Sequence, residues 1–210
     1  MSEWLLPLFP LQVVLFPRQE IPLHIFEERY KQMIAECLEI KGEFGIVLAK
    51  EDSIENTGCA AAVERVTKRY EDGRMDIVVR GSRRFDILLL NSEMPYLRGE
   101  PQFFADEGAP LASSDPRRAR AMEVYSSLKK MLPVEQGAPA EVAIEPDDAE
   151  LSYQIMSRLP VDLEFKQSLL PLRSEEERLK RVILYLETLV ARLEAALKAR
   201  AGASGNGHRH

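Results

Sequence analysis

Trp4-Leu5-Leu6-Pro7-Leu8-Phe9-Pro10-Leu11-Gln12-Val13-Val14-Leu15-Phe16-Pro17, followed by Ile21-Pro22-Leu23-His24-Ile25-Phe26-Glu27-Glu28-Arg29-Tyr30, is the stretch whose reading decides the fold. Large apolar side chains alternate with prolines. A proline fixes φ and brings no N–H, so a continuous helix is excluded and strand pairing is confined to edges, strand starts and bulges. Short extended pieces, bent at each proline, are expected. So many bulky residues on an irregular path imply burial on several sides, between elements that come later in the chain. Phe26 and Tyr30 are expected to anchor the junction with the next element.

That element is a helix from about Glu27 to Ile40, because Phe26, Tyr30, Met33, Ile34, Cys37 and Leu38 recur at spacings of three and four. Glu27 and Glu28 suit the positive end of its dipole, and Gly42 is the expected stop. Phe44 to Ala49 then reads as a buried strand. From Gly58 to Phe104 the pattern is antiparallel sheet: Cys59 to Tyr70, a Glu71-Asp72-Gly73 hairpin turn, an alternating return strand from Met75, a bend at Gly81, Arg84 to Leu90, and a strand from Pro95 through Phe104. The meander closes toward a small barrel.

Composition shifts at residues 105–114, rich in Ala, Gly, Pro, Ser and acid, which reads as a linker. Beyond it everything is helical. Asp115 is an N-cap before Pro116, with an apolar stripe through Ala121, Met122, Tyr125, Leu128 and Leu132, and Gln136-Gly137-Ala138-Pro139 is a loop. A second helix is expected from near Pro146 to Leu159 and a short third from Asp162 to Leu170. Ser174-Glu175-Glu176-Glu177 is a capping box that opens the longest helix, to about Arg200, striped by Leu179, Val182, Ile183, Leu186, Leu189, Val190, Leu193, Ala196 and Leu197. The fold class is therefore α+β, with a β-rich part over residues 1–104, a linker at 105–114, a helical part over 115–200 and a disordered tail at 201–210.

A chain of 210 residues that is 45% hydrophobic and 30% charged has the composition of a globular protein. Its net charge of -6 argues against bulk nucleic acid or an anionic membrane as the main partner. Glu3 precedes the apolar start, no basic segment leads it, and Pro7, Pro10 and Gln12 interrupt it, so no export signal is read and a cytoplasmic location is expected. Cys37 and Cys59 stand alone as small buried thiols. Of three histidines only His24 lies in the folded part, which leaves a histidine-based metal site without material, and no cofactor is expected.

Catalytic motifs are missing as well. No GxxxxGK[ST] loop and no GxSxG elbow occur, and His24 has no Gly-Ser turn near it. Carboxylates are plentiful but none is singled out, so the chain reads as a non-enzyme.

Leu6-Pro7-Leu8-Phe9-Pro10-Leu11, Val14-Leu15-Phe16-Pro17, Pro22-Leu23-His24-Ile25-Phe26-Glu27-x-Arg29-Tyr30 with Met33, and Phe44-Gly45-Ile46-Val47 together resemble the N-terminal domain of the ATP-dependent protease Lon. The resemblance continues through Asp72-Gly73-Arg74, Gly81-x-x-Arg84-Phe85, Pro95-Tyr96-Leu97, Leu151-Ser152-Tyr153 and Leu159-Pro160-Val161-Asp162-Leu163-x-x-Lys166-Gln167-x-Leu169-Leu170, then Arg178-Leu179, covering about residues 4–198. Arg18 departs from the pattern, since many relatives carry Gly after the Phe-Pro. Lon proteases continue into ATPase and Ser-Lys protease modules, so the expectation is a stand-alone N-terminal-domain protein. The resemblance implies a PUA-like pseudo-barrel followed by a helical bundle, and a role in recognising unfolded or partner polypeptides without ATP.

Two sets of residues are candidates for binding. Phe16, Pro17 and Ile25 would line an apolar groove for an extended peptide, against a core-packing reading of the same side chains. Arg65, Lys68, Arg69, Tyr70, Arg80 and Arg83, with Arg74 and Arg84, carry the alternative function, RNA binding on a basic strand surface. Glu64, Glu71, Asp72, Asp76 and Asp86 interleave with them, which favours a solvated charge network. Glu27 and Arg29 read as cap and ion-pair residues. The final helix packs within the chain or pairs two chains, giving a monomer or a homodimer.

Overall fold

In the computed structural model the proline-rich start forms true strands. Strand β1 (Leu6–Leu11) contains Pro7 and Pro10, and β2 (Glu20–Ile25) contains Pro22. Pro7 ends a two-residue antiparallel ladder with β6 (Arg98–Phe104), and β1 then pairs in parallel with β3 (Phe44–Leu48) from Leu8 to Leu11. Splitting β1 between two short ladders limits how many ladder hydrogen bonds the missing proline N–H groups cost. Residues 5–133 and 143–205 are described; Trp4, the loop at 136–139 and the histidines at 208 and 210 lie outside them.

Strands β4 (Thr57–Arg69) and β5 (Met75–Asn91) complete a six-stranded sheet in the order β2-β5-β4-β3-β1-β6. β6 also pairs with β5, so the sheet closes on itself. One long strand makes the closure: Met75–Arg80 pairs with β2, and Arg84–Asn91 pairs with β6. Between the two, Gly81 takes the chain segment after Phe16, accepting from Arg18 N at 2.8 Å and donating to Gln19 O at 2.9 Å. A Cβ at Gly81 would stand 2.2 Å from Phe16 O, so only glycine allows this approach. The hairpin between β4 and β5 turns at Gly73, whose φ is 83°.

Helix α1 (Glu28–Ile40) buries Tyr30, Met33, Ile34 and Cys37 with Phe9, Phe44, Ile46 and Ile77 in the main β core. Leu6, Leu8, Val47, Ala60, Phe85 and Ile87 form a second cluster, so alternate residues of β1 feed different cores. Phe26 does not anchor this junction: it is 59% exposed, one residue past the end of β2. The α1 terminus also differs from expectation, because Lys41, at φ 51°, rather than Gly42, takes the left-handed cap position, and Gly42 N donates to Cys37 O.

By its contacts the chain divides into Met1–Glu107 with Leu159–Arg173, and Gly108–Arg158 with Ser174–His210. Helix α2 (Pro116–Met131) belongs to the second unit, and α4 (Leu163–Leu169) to the first. Residues 159–173 therefore group with the strands, where Gln167 Nε2 donates to Thr57 O and buried Arg84 donates to the carbonyls of Leu170 and Leu172.

In the second unit the Asp115 carboxylate accepts from Arg117 N at 2.9 Å, capping α2. Buried Arg118 donates to the carbonyls of Leu111, Ala112, Pro146 and Asp148. Those last two carbonyls face the guanidinium instead of continuing a helix, and α3 spans only Leu151–Ser157, later than the expected start at Pro146. Helix α5 (Glu175–Gly205) runs past the expected end at Arg200, and residues 206–210 of the expected tail are outside the described region. Its stripe is fully buried at Leu179, Val182 and Leu186, whereas no residue from Ala191 to Ala199 is buried. Fully buried Arg178 pairs with Glu175, which also accepts from Ser152, and its guanidinium lies 4.4 Å from the Tyr153 ring centre.

Candidate functional site

The expected apolar groove does not form from the residues proposed for it. Phe16, Pro17 and Ile25 are all buried, Ile25 because β2 ends with its side chain in the main core.

The basic strand residues do reach the surface, and Arg65, Arg74 and Arg83 do so in ion pairs. Arg65 meets Glu20 at 3.1 Å and Arg83 meets Glu43 at 2.6 Å, with its guanidinium 4.0 Å from the Phe103 ring centre. Lys68 and Arg74 both lie over the Tyr70 ring, at 4.4 and 5.0 Å. Arg69 and Arg80 are exposed on β4 and β5. Arg84, by contrast, is buried and bound to Asp106 at 2.6 Å. The surface alternates in charge, so a polyanion laid across it would displace existing ion pairs rather than bulk counterions.

Beside this network, His24 Nδ1 lies 2.5 Å from Asp76, whose other oxygen accepts from Tyr70 at 2.8 Å. The His24 hydrogen bond, then that of Tyr70, holds the Asp76 carboxyl below its ordinary pKa. The imidazole stacks on Phe26 at 5.9 Å and meets the edge of Tyr70 at 5.8 Å. Its neighbours are thus a carboxylate and two rings, which position it without offering a nucleophile. Glu27 and Arg29 form the expected ion pair, at 2.7 Å. Burial, followed by Glu36, pushes the Cys37 thiol up to about 11, leaving it protonated and unreactive at neutral pH.

The surface that stands out is Leu88-Leu89-Leu90 near the end of β5, exposed by 57, 54 and 51%. Three adjacent side chains of a strand cannot share one face, yet all three reach solvent. Two features of the pairing account for this. β4 accompanies β5 only as far as Asp86, and the β5–β6 register slips between Ile87 and Leu89. From its sequence, Arg84 to Leu90 is expected simply as a strand. The unbroken Ile87-Leu88-Leu89-Leu90 run carried the signal, because a strand with one face in a core and no alternation must leave leucine outside.

In the second unit, a groove of about 320 Å³ runs between α2 and α5 past Arg120, Val124, Glu187, Val190 and Glu194. Arg120 there is bridged to Glu123 at 2.8 Å and to Glu187 at 2.6 Å. Among the described residues no cluster of His, Cys, Asp and Glu is arranged to hold a metal, and no helix is long and apolar enough to cross a membrane.

Comparison with known proteins places these features in a family. The chain is 29% identical over 199 residues to Lon protease 1 of Hydrogenovibrio crunogenus, covering 87% of this chain and 23% of that protein. It is 29% identical over 203 residues to Lon protease 2 of Herpetosiphon aurantiacus, covering 90% and 24%. It thus spans about a quarter of the length of these relatives. Two solved structures share the fold: a Lon N-terminal domain protein from Xanthomonas campestris, at TM-score 0.69 and 22% identity over 87% of this chain and 98% of that one, and the N-terminal domain of a Mycobacterium avium complex Lon protease, at TM-score 0.62 and 18% identity over 88% and 98%. The family model for the ATP-dependent protease La (LON) substrate-binding domain matches residues 5–188, and the chain belongs to that family.

Proposed function

We propose that this protein recognises unfolded or partner polypeptides through the exposed leucines at the end of β5, without nucleotide and without cleaving what it binds. The observation that carries the reading is Leu88-Leu89-Leu90, an apolar surface on the β unit of a chain in a substrate-binding family. Half-exposed leucines that become covered contribute about 1 kcal/mol each, or about 3 kcal/mol for the set, before the entropy cost of association. The partner's apolar side chains, covered in the same step, contribute about as much again, about 6 kcal/mol in all, which suits weak, transient capture of many sequences rather than one tight partner. The family's name concerns a domain of a protease, and the alternating charges of the β4–β5 surface give a polyanion little to hold.

The test is a fluorescence titration of a reduced, carboxymethylated protein with this chain in the absence of ATP. Saturable binding with intact substrate on a gel is expected. Leu88→Asp with Leu90→Asp is expected to weaken it at least tenfold with unchanged circular dichroism, while Leu184→Asp, on exposed α5, leaves it unchanged. Absence of binding at high micromolar concentration, or equal loss in both variants, overturns the proposal.

A further inference from the structure

Resting on the polypeptide-binding reading, we infer that the bound segment is an extended apolar stretch that adds as a strand to the open side of β5 at Leu88–Asn91, with a basic residue at the end nearest the 50–53 turn.

The first observation is an incomplete sheet. On one side of β5, Leu89, Leu90 and Asn91 face Glu100, Gly99 and Arg98 of β6. On the other, β4 pairs as far as Thr57 opposite Asp86, and Ile87 N donates to Asn56 O at 3.0 Å. There the companion chain leaves. Residues 49–56 fold into their own turn, with Ala49 bridged to Ile54 and Lys50 N donating to Ser53 O at 2.8 Å. Among the described residues no strand pairs with Leu88–Asn91 on this side. The backbone there is a template for another chain.

The second observation is that the edge lacks the usual protection. Exposed edges are ordinarily blunted by lysine, proline or inward-pointing charge, which discourage an incoming strand. Here the corresponding side chains are leucines, and the register slip after Ile87 turns them outward. An incoming segment would satisfy its own backbone groups on β5 while covering leucine with its apolar side chains. A folded protein has no free strand to offer, so the geometry selects unfolded segments of β-forming, aliphatic character.

Charge indicates what flanks that segment. In the turn that leads into Asn56, the residue bonded to Ile87, Glu51 and Asp52 are exposed, and the cation Lys50 is already ion-paired with Glu55. At the far end Arg98 donates to Asn91 at 3.0 Å and to Glu93 at 3.3 Å. The turn end is thus net acidic, and a segment whose end stops at Asn56, short of Ile87, gains from lysine or arginine there.

Synthetic peptides test both parts on the intact chain. Each has a six-residue aliphatic core, with a lysine pair at one terminus, a lysine pair at the other, or glutamate pairs at both. Backbone N-methylation at alternate residues, in either parity, separates strand pairing from side-chain burial. One parity is expected to weaken binding about tenfold, as loss of two backbone hydrogen bonds would, and the other to leave it within about twofold. The better lysine peptide is expected to bind several-fold tighter than the glutamate peptide at low salt, and Glu51→Lys with Asp52→Lys, both exposed turn positions, to remove that preference. Indifference to both parities overturns strand addition, and equal binding of lysine and glutamate peptides overturns the flank. Either result leaves the broader reading standing if the carboxymethylated protein still binds through Leu88 and Leu90; if that protein does not bind at all, the broader reading fails first.

Discussion

Arg18 sits at φ 62°, in the left-handed region where a side chain crowds its own backbone, and its N–H is committed to Gly81 O. The hydrogen bond holds the turn, and the side chain strains it. Arg18→Gly is expected to keep the bond and relieve the strain, raising stability by about 0.5 kcal/mol, less than the full left-handed penalty because glycine also loosens the unfolded chain. A lowered urea midpoint would show that the arginine side chain contributes more than the strain costs. The two phenylalanines of the opening stretch separate in the same way. Phe9, buried and 4.2 Å from the Tyr30 ring centre, is expected to cost about 3–5 kcal/mol when cut to alanine. Phe26, which only stacks on His24 at the surface, is expected to cost less than about 1 kcal/mol. Equal urea midpoints for the two variants would contradict this assignment of the core.

Among elements, α2 illustrates how a short signal sets a boundary. Asp115 accepts from Arg117 N, and the Arg117 side chain returns to the same carboxylate at 2.7 and 2.6 Å, holding its pKa down to about 2. The folded-state value lies below the ordinary carboxylate value, so the stabilisation is fully present above about pH 4 and is lost as pH falls toward 2. Asp115→Asn, which keeps a capping acceptor but loses the charge, is therefore expected to lower the melting temperature at neutral pH and to make little difference at pH 2; a difference that persists unchanged at pH 2 would show that the effect does not come from the carboxylate's charge. α5 shows the complementary case. Its apolar stripe is regular, but burial ends after Leu186, so periodicity located the helix without locating the part of it that packs.

For the molecule as a whole, one buried cation joins β5 to residues 159–173. Arg84, on β5, donates to the carbonyls of Leu170 and Leu172 and to Asp106, while Gln167 reaches Thr57 O. Removing it would take a charged donor away from two carbonyls and a carboxylate. Arg84→Met is expected to destabilise the β unit by about 3 kcal/mol and to open the 159–173 segment to limited proteolysis, whereas Arg83→Met, at an exposed ion pair, does neither. Unaltered proteolysis of Arg84→Met would show that packing of Leu159, Leu169 and Leu170 suffices to hold the segment.

Read alone, the residues determined the α+β class, α1, the hairpin at Gly73, the Asp115 cap and the start of α5, because each follows from contacts within a few residues of itself. The run Ile87 to Leu90 likewise held its anomaly in plain view. Only the tertiary structure decided the rest. That β1 pairs in parallel with β3, that α4 goes with the strands, that Phe16 and Ile25 are core while Leu88 to Leu90 are surface, are matters of which distant backbone arrives beside each segment. A leucine's hydrophobicity is the same in either place. Where β4 stops accompanying β5 is set by pairing across the sheet, and that boundary leaves the leucine edge open.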